Sequence, residues 1–279
     1  MAIIFNESDV QPERAENGAA RQPLLTATRV PGTKILLDRL TLAAAGEARL
    51  TVPMQNLAWF QLLEGEVVLG HGDRRLALTD AHVVFLPPGF IVNLSSHSGA
   101  ALLYGEIPDA GYLDPEFAFN PPAFGVVDWT REPVLDSEHD ARKRIYLVTP
   151  KLFATKAVKG EMIIYPPGTA AANHHHEGAE HFMYVLRGRG TVYANEKPYA
   201  VRKGDTIYYP DRERHYLEAA ADEELAFVEF FAPAEFTTVW VDDSQICAWL
   251  PTGCDIRGRA PAREIKAHSS AEVESPQDV

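Results

Sequence analysis

The residues of this sequence best suited to metal chemistry are histidines. Positions 174 to 181 read HHHEGAEH, and a further histidine follows at position 215. Residues i and i+2 of a β-strand point to the same face, so His174 and His176 can contact one ion together. A hairpin neighbour can bring His181 beside them, and His215 lies on a later predicted strand. The pattern predicts a metal site formed by His174, His176, His181 and His215.

The donor type does not name the metal. Neutral imidazole is a borderline ligand that binds manganese, iron, zinc or nickel, so we expect one divalent transition metal ion per chain. The spacing also leaves a second ligand set open. In that set His175 and Glu177 replace the first two histidines, while His181 and His215 remain.

An internal repeat predicts the elements that position these histidines. In the first half, FQLLEG ends at Gly65 and a second apolar run ends at Pro87. In the second half, FMYVLRG ends at Gly188 and the matching run ends at Pro210. Glycine supplies the positive φ of a turn, and proline closes a strand where no ladder donor is needed. Short strands separated by turn residues are typical of a sandwich or barrel. We therefore predict an all-β chain of two tandem barrels, with terminal strands exchanged between them.

The spacing of the motifs resembles the cupin superfamily, whose fold is the jelly roll or double-stranded β-helix. Its first motif is matched by Gly168, His174, His176, His181 and Gly188, and its second by Gly204, Pro210 and His215. Two positions depart from the pattern: His181 stands where the family usually has glutamate, and Arg212 where it usually has glycine. The resemblance implies two cupin barrels, of which the second binds the metal.

The shorter register resembles the ureidoglycine aminohydrolases, which are bicupins with a degenerate first domain and a manganese site in the second. This resemblance implies a metal-dependent hydrolase or lyase that acts on a small polar metabolite. Two alternatives stay open. Several cupin dioxygenases carry three or four neutral histidines on iron(II), and a non-catalytic cupin would bind metal or metabolite without turnover.

The repeat also predicts the domain plan. We expect a loose arm over 1–22, a metal-free barrel over 23–107, a connector over 108–143, the metal-binding barrel over 144–262 and a disordered tail over 263–279. The ligand positions of the first barrel fall on residues that do not bind transition metals, namely Thr51 and Pro53 (or Val52 and Met54), Ala58 and Val92.

Residues near the predicted site suggest its character without assigning a catalytic role. Met183 and Val185 alternate with His181 and should face the cavity. The candidates for acid–base or orienting roles are Glu177, Glu180, Tyr209 and Arg212. Two lysines, Lys156 and Lys159, are candidates for contact with an anionic substrate.

Composition excludes several classes of partner. The net charge of −13 argues against nucleic acid, which needs clustered basic residues. No apolar run reaches the roughly 18 residues of a membrane span, and no secretory signal is visible, so we expect a cytoplasmic protein. Cys247 and Cys254 suit neither a zinc site nor a disulfide framework.

We expect a homodimer with a small-molecule substrate, because a barrel without metal needs a role and edge pairing protects exposed strands.

Overall fold

The computed structural model describes residues 1–14, 18–242, 244 and 246–266, and it divides into two compact units. The first barrel is Glu7–Trp129. The second barrel joins Met1–Asn6 to the chain from Thr130 onward. Each unit is built from antiparallel sheets, which confirms the prediction of two tandem jelly-roll barrels. No helix in the described ranges has the length and apolar character that a membrane crossing requires.

The first barrel consists of a seven-stranded sheet, in the order β12-β9-β6-β11-β4-β3-β2, and a four-stranded sheet, in the order β5-β10-β7-β8. Its strands are β2 (Glu13–Arg14), β3 (Ala20–Leu25), β4 (Leu36–Leu42), β5 (Gly46–Thr51), β6 (Leu57–Gly65), β7 (Val67–His71), β8 (Arg74–Leu78), β9 (His82–Leu86), β10 (Ile91–Ser96), β11 (Ala100–Ile107) and β12 (Gly125–Asp128). Short 3-10 turns cover Glu7–Asp9 and Ala110–Tyr112.

The second barrel consists of an eight-stranded sheet, in the order β1-β20-β17-β22-β15-β14-β13-β24, and a five-stranded sheet, in the order β19-β18-β21-β16-β23. Its strands are β1 (Ile3–Asn6), β13 (Val134–Ser137), β14 (Lys143–Val148), β15 (Lys159–Tyr165), β16 (His174–Glu177), β17 (Glu180–Arg187), β18 (Arg189–Ala194), β19 (Lys197–Arg202), β20 (Asp205–Tyr209), β21 (His215–Ala219), β22 (Leu225–Ala232), β23 (Thr237–Trp240) and β24 (Trp249–Pro251). The helices near its N-terminal end are the 3-10 turn Trp129–Arg131 and the four-residue helix α1 (Pro150–Phe153).

The first 22 residues differ from the prediction of a loose arm. Strand β1 pairs with β20 in antiparallel register, with Ile3 opposite Tyr208 and Asn6 opposite Asp205. The strand belongs to the second barrel, as the prediction of exchanged terminal strands requires. An apolar tripeptide, residues 3–5, suffices to cover the edge of β20, and covered edges protect sheets from unwanted pairing.

The predicted connector and tail also contain ordered structure. Residues 108–143 hold strands β12 and β13, which belong to different units, so the boundary falls at Trp129 rather than across a long linker. In the predicted tail, Arg263 Nε lies 2.6 Å from Glu132 Oε2, and the Ile265 side chain is buried in the core of the second barrel. The rest of that tail, 267–279, lies outside the described residues.

Glycine closes the repeated hairpin of each barrel. Gly65 has a φ of 78° and Gly188 a φ of 79°, as the repeat predicts. At Gly188 an added Cβ would lie 2.0 Å from the Glu224 carbonyl oxygen, so the neighbouring backbone leaves no room for a side chain. Both the conformation and the close approach therefore require glycine.

Replacement of Gly188 by alanine should destabilise the second barrel more than the same change at Gly253. Both glycines have positive φ, and an added Cβ at Gly253 has no neighbour within 4 Å among the described atoms. The backbone conformation alone should lower the free energy of unfolding by about 1–2 kcal/mol at Gly253. The clash at Gly188 should add at least about 1 kcal/mol more. Chemical denaturation of both variants measures the difference, and equal losses would contradict this account of the turn.

Candidate metal centre

Strands β16 and β21 bring three of the predicted ligands together in the second barrel. His174 lies directly opposite His215 in the antiparallel pair, and His176 follows two residues later on the same face. One ring nitrogen from each of the three lies within 4.8 Å of the other two. These three imidazoles form a group, here called the histidine triad, that can hold a metal ion.

Hydrogen bonds at Nδ1 orient the rings of the triad. The Nδ1 atoms of His174 and His215 lie 2.8 Å from backbone carbonyl oxygens, those of Ala172 and Glu213 respectively. A carbonyl only accepts, so each Nδ1 carries the proton and each Nε2 keeps its lone pair. The Nδ1 of His176 lies 3.1 Å from the Thr238 hydroxyl. An imidazole held at one nitrogen and open at the other is the form in which histidine binds metals.

The fourth predicted ligand, His181, lies beside the triad but outside it. Its ring centroid is 4.8 Å from that of His215 and 5.0 Å from that of His176. The ring is sandwiched between Tyr209 and Phe231, at 4.9 and 4.7 Å. Neither of its ring nitrogens has a hydrogen-bond partner among the described residues, although the side chain is 1% exposed. A buried polar atom without a partner is costly, so this position indicates a ligand.

Burial keeps the four imidazoles neutral. Removal from water lowers the pKa of His174, His176 and His181 well below the usual value, and their proximity to one another lowers it further. The same removal from water brings the pKa of His215 to about 4. A neutral ring is the state that coordinates a cation, so the barrel holds these side chains ready for a metal at neutral pH. The donor set therefore fits a divalent transition metal.

The alternative ligand set is not brought together. His175 Nε2 lies 3.2 Å from Glu177 Oε1, and the same carboxylate oxygen accepts a hydrogen bond from Arg212 at 2.9 Å. Glu177 is thus paired with His175 and Arg212 instead of joining His181 and His215. The reason is the alternation of the strand, which places positions 175 and 177 on the face opposite His174 and His176.

A cavity of about 50 Å³ adjoins the triad inside the second barrel. His174 and His176 line it together with aromatic and aliphatic side chains and several polar groups. The other lining residues are Arg142, Arg144, Ile163, Tyr165, Met183, Phe227, Glu229, Phe231, Thr238, Trp240, Cys247, Ala248 and Trp249. The prediction that Met183 faces the cavity is confirmed. Val185 lies deeper, in the apolar core.

Charged side chains inside the barrel are the main feature that the sequence did not reveal. Glu161 is completely buried, and its carboxylate lies 3.2 Å from Arg144 Nη2 and 3.6 Å from Lys159 Nζ. The guanidinium of Arg144 also lies 4.2 Å from the ring of Trp249. The sequence carries these charges two residues apart, at 142 and 144 and at 159 and 161, but solvent-exposed strands show the same pattern.

The other candidate side chains have local partners. Glu180 accepts a hydrogen bond from the Tyr208 hydroxyl at 2.9 Å. Lys156 is exposed and lies 3.2 Å from Glu235, whereas Lys159 is buried in the barrel. Tyr209 stacks on His215 with a centroid distance of 4.2 Å. Of the two lysines, Lys159 is therefore the one near the site.

The first barrel has apolar residues at the positions of the four histidines. Val92 lies opposite Leu50, as His215 lies opposite His174, and Val52 and Ala58 match the other two. The assignments of Ala58 and Val92 agree with the sequence prediction, whereas the first pair is Leu50 and Val52 instead of Thr51 and Pro53. The strand ends one residue earlier than the motif spacing suggests. All four side chains are buried in an apolar core.

Comparisons with known proteins agree with this architecture. Residues 161–231 match the cupin domain, so the second barrel carries a cupin domain. An uncharacterized protein of Methanocaldococcus jannaschii is 35% identical over 74 residues, which are 26% of this chain and 58% of that protein. Oxalate decarboxylase OxdC of Bacillus subtilis is 26% identical over 114 residues, which are 39% of this chain and 29% of the enzyme. The chain thus matches less than two thirds of either relative.

Two solved structures share the fold over most of the chain. The protein Ylba from E. coli superposes with a TM-score of 0.66 at 13% identity, covering 83% of this chain and 90% of that one. A structure of Bacillus subtilis oxalate decarboxylase, described for its Mn(II) centres, superposes with a TM-score of 0.64 at 17% identity, covering 86% and 79%. At these identities the likeness establishes the fold.

Replacement of Glu161 by glutamine should destabilise the second barrel strongly. The change removes the charge that Arg144 and Lys159 share in the barrel interior, and loss of one partner of a buried pair costs about 3–5 kcal/mol. As a matched control, Glu235→Gln removes an exposed partner of Lys156 and should change the free energy of unfolding by no more than about 0.5 kcal/mol. Denaturant titration measures both, and a similar small effect at the two positions would refute a structural role for Glu161.

Proposed function

We propose that the second barrel is a metal-dependent enzyme of the lyase type that acts on a small polar metabolite. One divalent transition metal ion would be held by His174, His176 and His215, with His181 as the fourth ligand. The observation that carries this proposal is the histidine triad itself. Its three imidazoles are neutral, oriented by hydrogen bonds at Nδ1 and located beside a small cavity.

Similarity to oxalate decarboxylases supports the lyase class. Two such enzymes match this chain in sequence, at 26% and 29% identity, and the bacterial one has Mn(II) centres. Manganese is therefore our first choice of metal. The chain spans less than a third of the length of either enzyme, so we propose the reaction type and leave oxalate as one member of a panel of substrates.

A bound divalent metal would polarise a carbonyl or carboxylate oxygen of the substrate and lower the pKa of a bound water. The residues of this chain supply the surroundings for that chemistry. Phe231 packs on His176 and His181, so the triad is screened from bulk water on that side. Glu229 brings a carboxylate to the cavity wall, where it can hold or accept a proton.

Hydrolysis is a second candidate reaction. The first barrel carries apolar residues at all four ligand positions, which is the domain plan of the ureidoglycine aminohydrolase-like bicupins that the sequence resembles. Release of ammonia from a ureido or amidine substrate would indicate this reaction, and release of carbon dioxide would indicate a decarboxylating lyase.

Metal content should depend on the triad and not on the neighbouring histidine. We expect about one metal ion per wild-type chain after reconstitution with manganese. His176→Ala and His215→Ala should each lower that content at least about tenfold, because each removes a direct ligand. His175→Ala, a change one residue away, should leave it unchanged. Elemental analysis of purified folded protein gives the result, and loss of metal in His175→Ala would instead establish the alternative ligand set.

Activity should follow metal content. Removal of metal by chelation and dialysis should abolish turnover on a panel of small carboxylates and ureido compounds, and manganese or iron should restore it. His215→Ala should lower kcat by at least about 100-fold, since the metal-dependent step would be lost. Carbon dioxide and ammonia release are measured with and without oxygen. Full activity of His215→Ala would refute an enzyme centred on this site, and strict oxygen demand would favour a dioxygenase.

A further inference from the structure

The two barrels provide an internal comparison, because their strands pair in the same registers. Ala58 lies opposite Leu86 just before Pro87, and His181 lies opposite Tyr209 just before Pro210. The pair β4 and β11 has the same register as the pair β15 and β22, so the interior positions of these strands have counterparts in the other barrel. Residue types that the two barrels share at matching positions are those that the fold requires. Residue types found only in the second barrel are candidates for a part in its histidine site.

One arginine–carboxylate ion pair occurs at matching positions in both barrels. Arg21 lies opposite Leu40 as Arg144 lies opposite Ile163, so the two arginines are counterparts. Arg21 Nε lies 2.7 Å from Asp38, and Arg144 Nη2 lies 3.2 Å from the corresponding Glu161. Since the first barrel keeps this pair without histidines at the four ligand positions, the pair belongs to the fold.

Arg142 and Tyr165 are two of the interior polar residues that the second barrel has and the first barrel lacks. By the same registers Arg142 stands where the first barrel has Ala19, and Tyr165 stands where it has Leu42. Both polar side chains are buried, at 5% and 4% exposure, and Arg142 Nη1 lies 3.3 Å from the Tyr165 hydroxyl. They are added in the same barrel as the histidines, which indicates a shared role.

The hydrogen bonds of Arg142 within the described residues leave N–H and O–H donors available beside the cavity. Its Nε and Nη2 bind the Asp140 carboxylate at 2.8–2.9 Å, and Nη2 also lies 3.5 Å from Cys247 Sγ. Nη1 carries two hydrogens, of which the Tyr165 hydroxyl accepts one. Because that hydroxyl oxygen accepts, its own hydrogen remains to be donated. Burial raises the pKa of Tyr165, so the hydroxyl keeps this hydrogen at neutral pH.

These donors and two histidines of the triad line the same cavity. Arg142 and Tyr165 line it together with His174 and His176. Its volume of about 50 Å³ is far below the roughly 300–1,000 Å³ of sites for drug-sized ligands, so its ligand has few heavy atoms. The remaining wall is largely apolar, with Ile163, Met183, Phe227 and Phe231 suited to a short carbon chain.

Charge favours an anion in this cavity once a metal is bound. The charged groups in and around it are three cations and three anions, namely Arg142, Arg144, Lys159, Asp140, Glu161 and Glu229. They sum to zero, and a divalent metal at the neutral histidines adds two positive charges. A guanidinium N–H beside a hydroxyl forms the paired-donor arrangement that a carboxylate accepts.

We propose that Arg142 and Tyr165 bind the carboxylate of a short-chain carboxylic acid whose other end extends toward His174 and His176. That this carboxylic acid is the substrate of the enzyme rests on the proposed function. Binding of the carboxylate itself does not need the metal.

The test compares acetate with acetamide, which has the same shape and no charge. The full-length chain, as purified and after removal of metal by dialysis, is titrated calorimetrically with each. Wild-type protein without metal should bind acetate at least about tenfold more tightly than acetamide. Tyr165→Phe and Arg142→Ala should each weaken acetate binding several-fold to tenfold. The control variants Tyr193→Phe and Arg187→Ala change a partly exposed and an exposed residue of the same barrel, neither of which lines the cavity, and should have no effect.

Two further controls keep the test decisive if a variant is unstable. Arg142→Ala introduces the residue that the first barrel has at this position, and Arg142→Lys retains the charge if the alanine variant does not fold. Both Arg142 variants should still bind the metal. Equal affinity for acetate and acetamide, or unchanged acetate affinity in Tyr165→Phe and in both Arg142 variants, would overturn the proposal. His215→Ala separates the two claims. If neither it nor wild-type protein binds metal but both bind acetate, the proposed function fails and the carboxylate site stands.

Discussion

A buried imidazole nitrogen needs a partner, because a polar atom moved from water into an apolar interior loses its hydrogen bonds to solvent. The second barrel places four imidazoles in such an interior. Backbone carbonyls satisfy one nitrogen of His174 and of His215, and the remaining nitrogens point toward each other. Burial also keeps the rings neutral, so mutual repulsion does not separate them. The strand registers bring the imidazoles together, the hydrogen bonds orient their rings, and burial keeps them neutral. A bound cation would give the remaining ring nitrogens a partner.

The first barrel shows that the fold does not depend on those imidazoles. It keeps the strand registers, the turn glycine and the arginine–carboxylate pair, and it fills the four ligand positions with Leu50, Val52, Ala58 and Val92. Apolar side chains in these places satisfy the interior without a metal. The site is therefore an addition to a barrel that is stable through its own core. Because the core does not depend on the site, substitution of a ligand histidine should remove metal binding and activity while the barrel stays folded.

Much of this arrangement could be predicted from the sequence. The repeated glycine and proline gave two barrels, and the spacing of His174, His176 and His215 gave the triad, because period-two alternation translates directly into a strand face.

Other features depend on contacts between distant segments. The pairing of β1 with β20 joins residues about 200 positions apart, which no local pattern encodes. The charged residues at 142, 161 and 229 are buried because the sheet registers place them inside the barrel, and a local pattern of charges does not distinguish this from an exposed strand. Likewise, the stacking of His181 between two aromatic rings follows from packing and not from spacing.

The proposed chemistry places a metal and a carboxylate-binding pair at the wall of one small cavity, whose remaining lining is largely apolar. Its central claim is the location of the metal. Anomalous diffraction from crystals of the manganese-loaded protein, recorded at the manganese absorption edge, locates the ion directly. We predict a single peak per chain in the second barrel, about 2.0–2.3 Å from the Nε2 atoms of His174, His176 and His215, with His181 turned toward it as the fourth ligand. A peak beside His175 and Glu177, or one in the first barrel, would contradict the account.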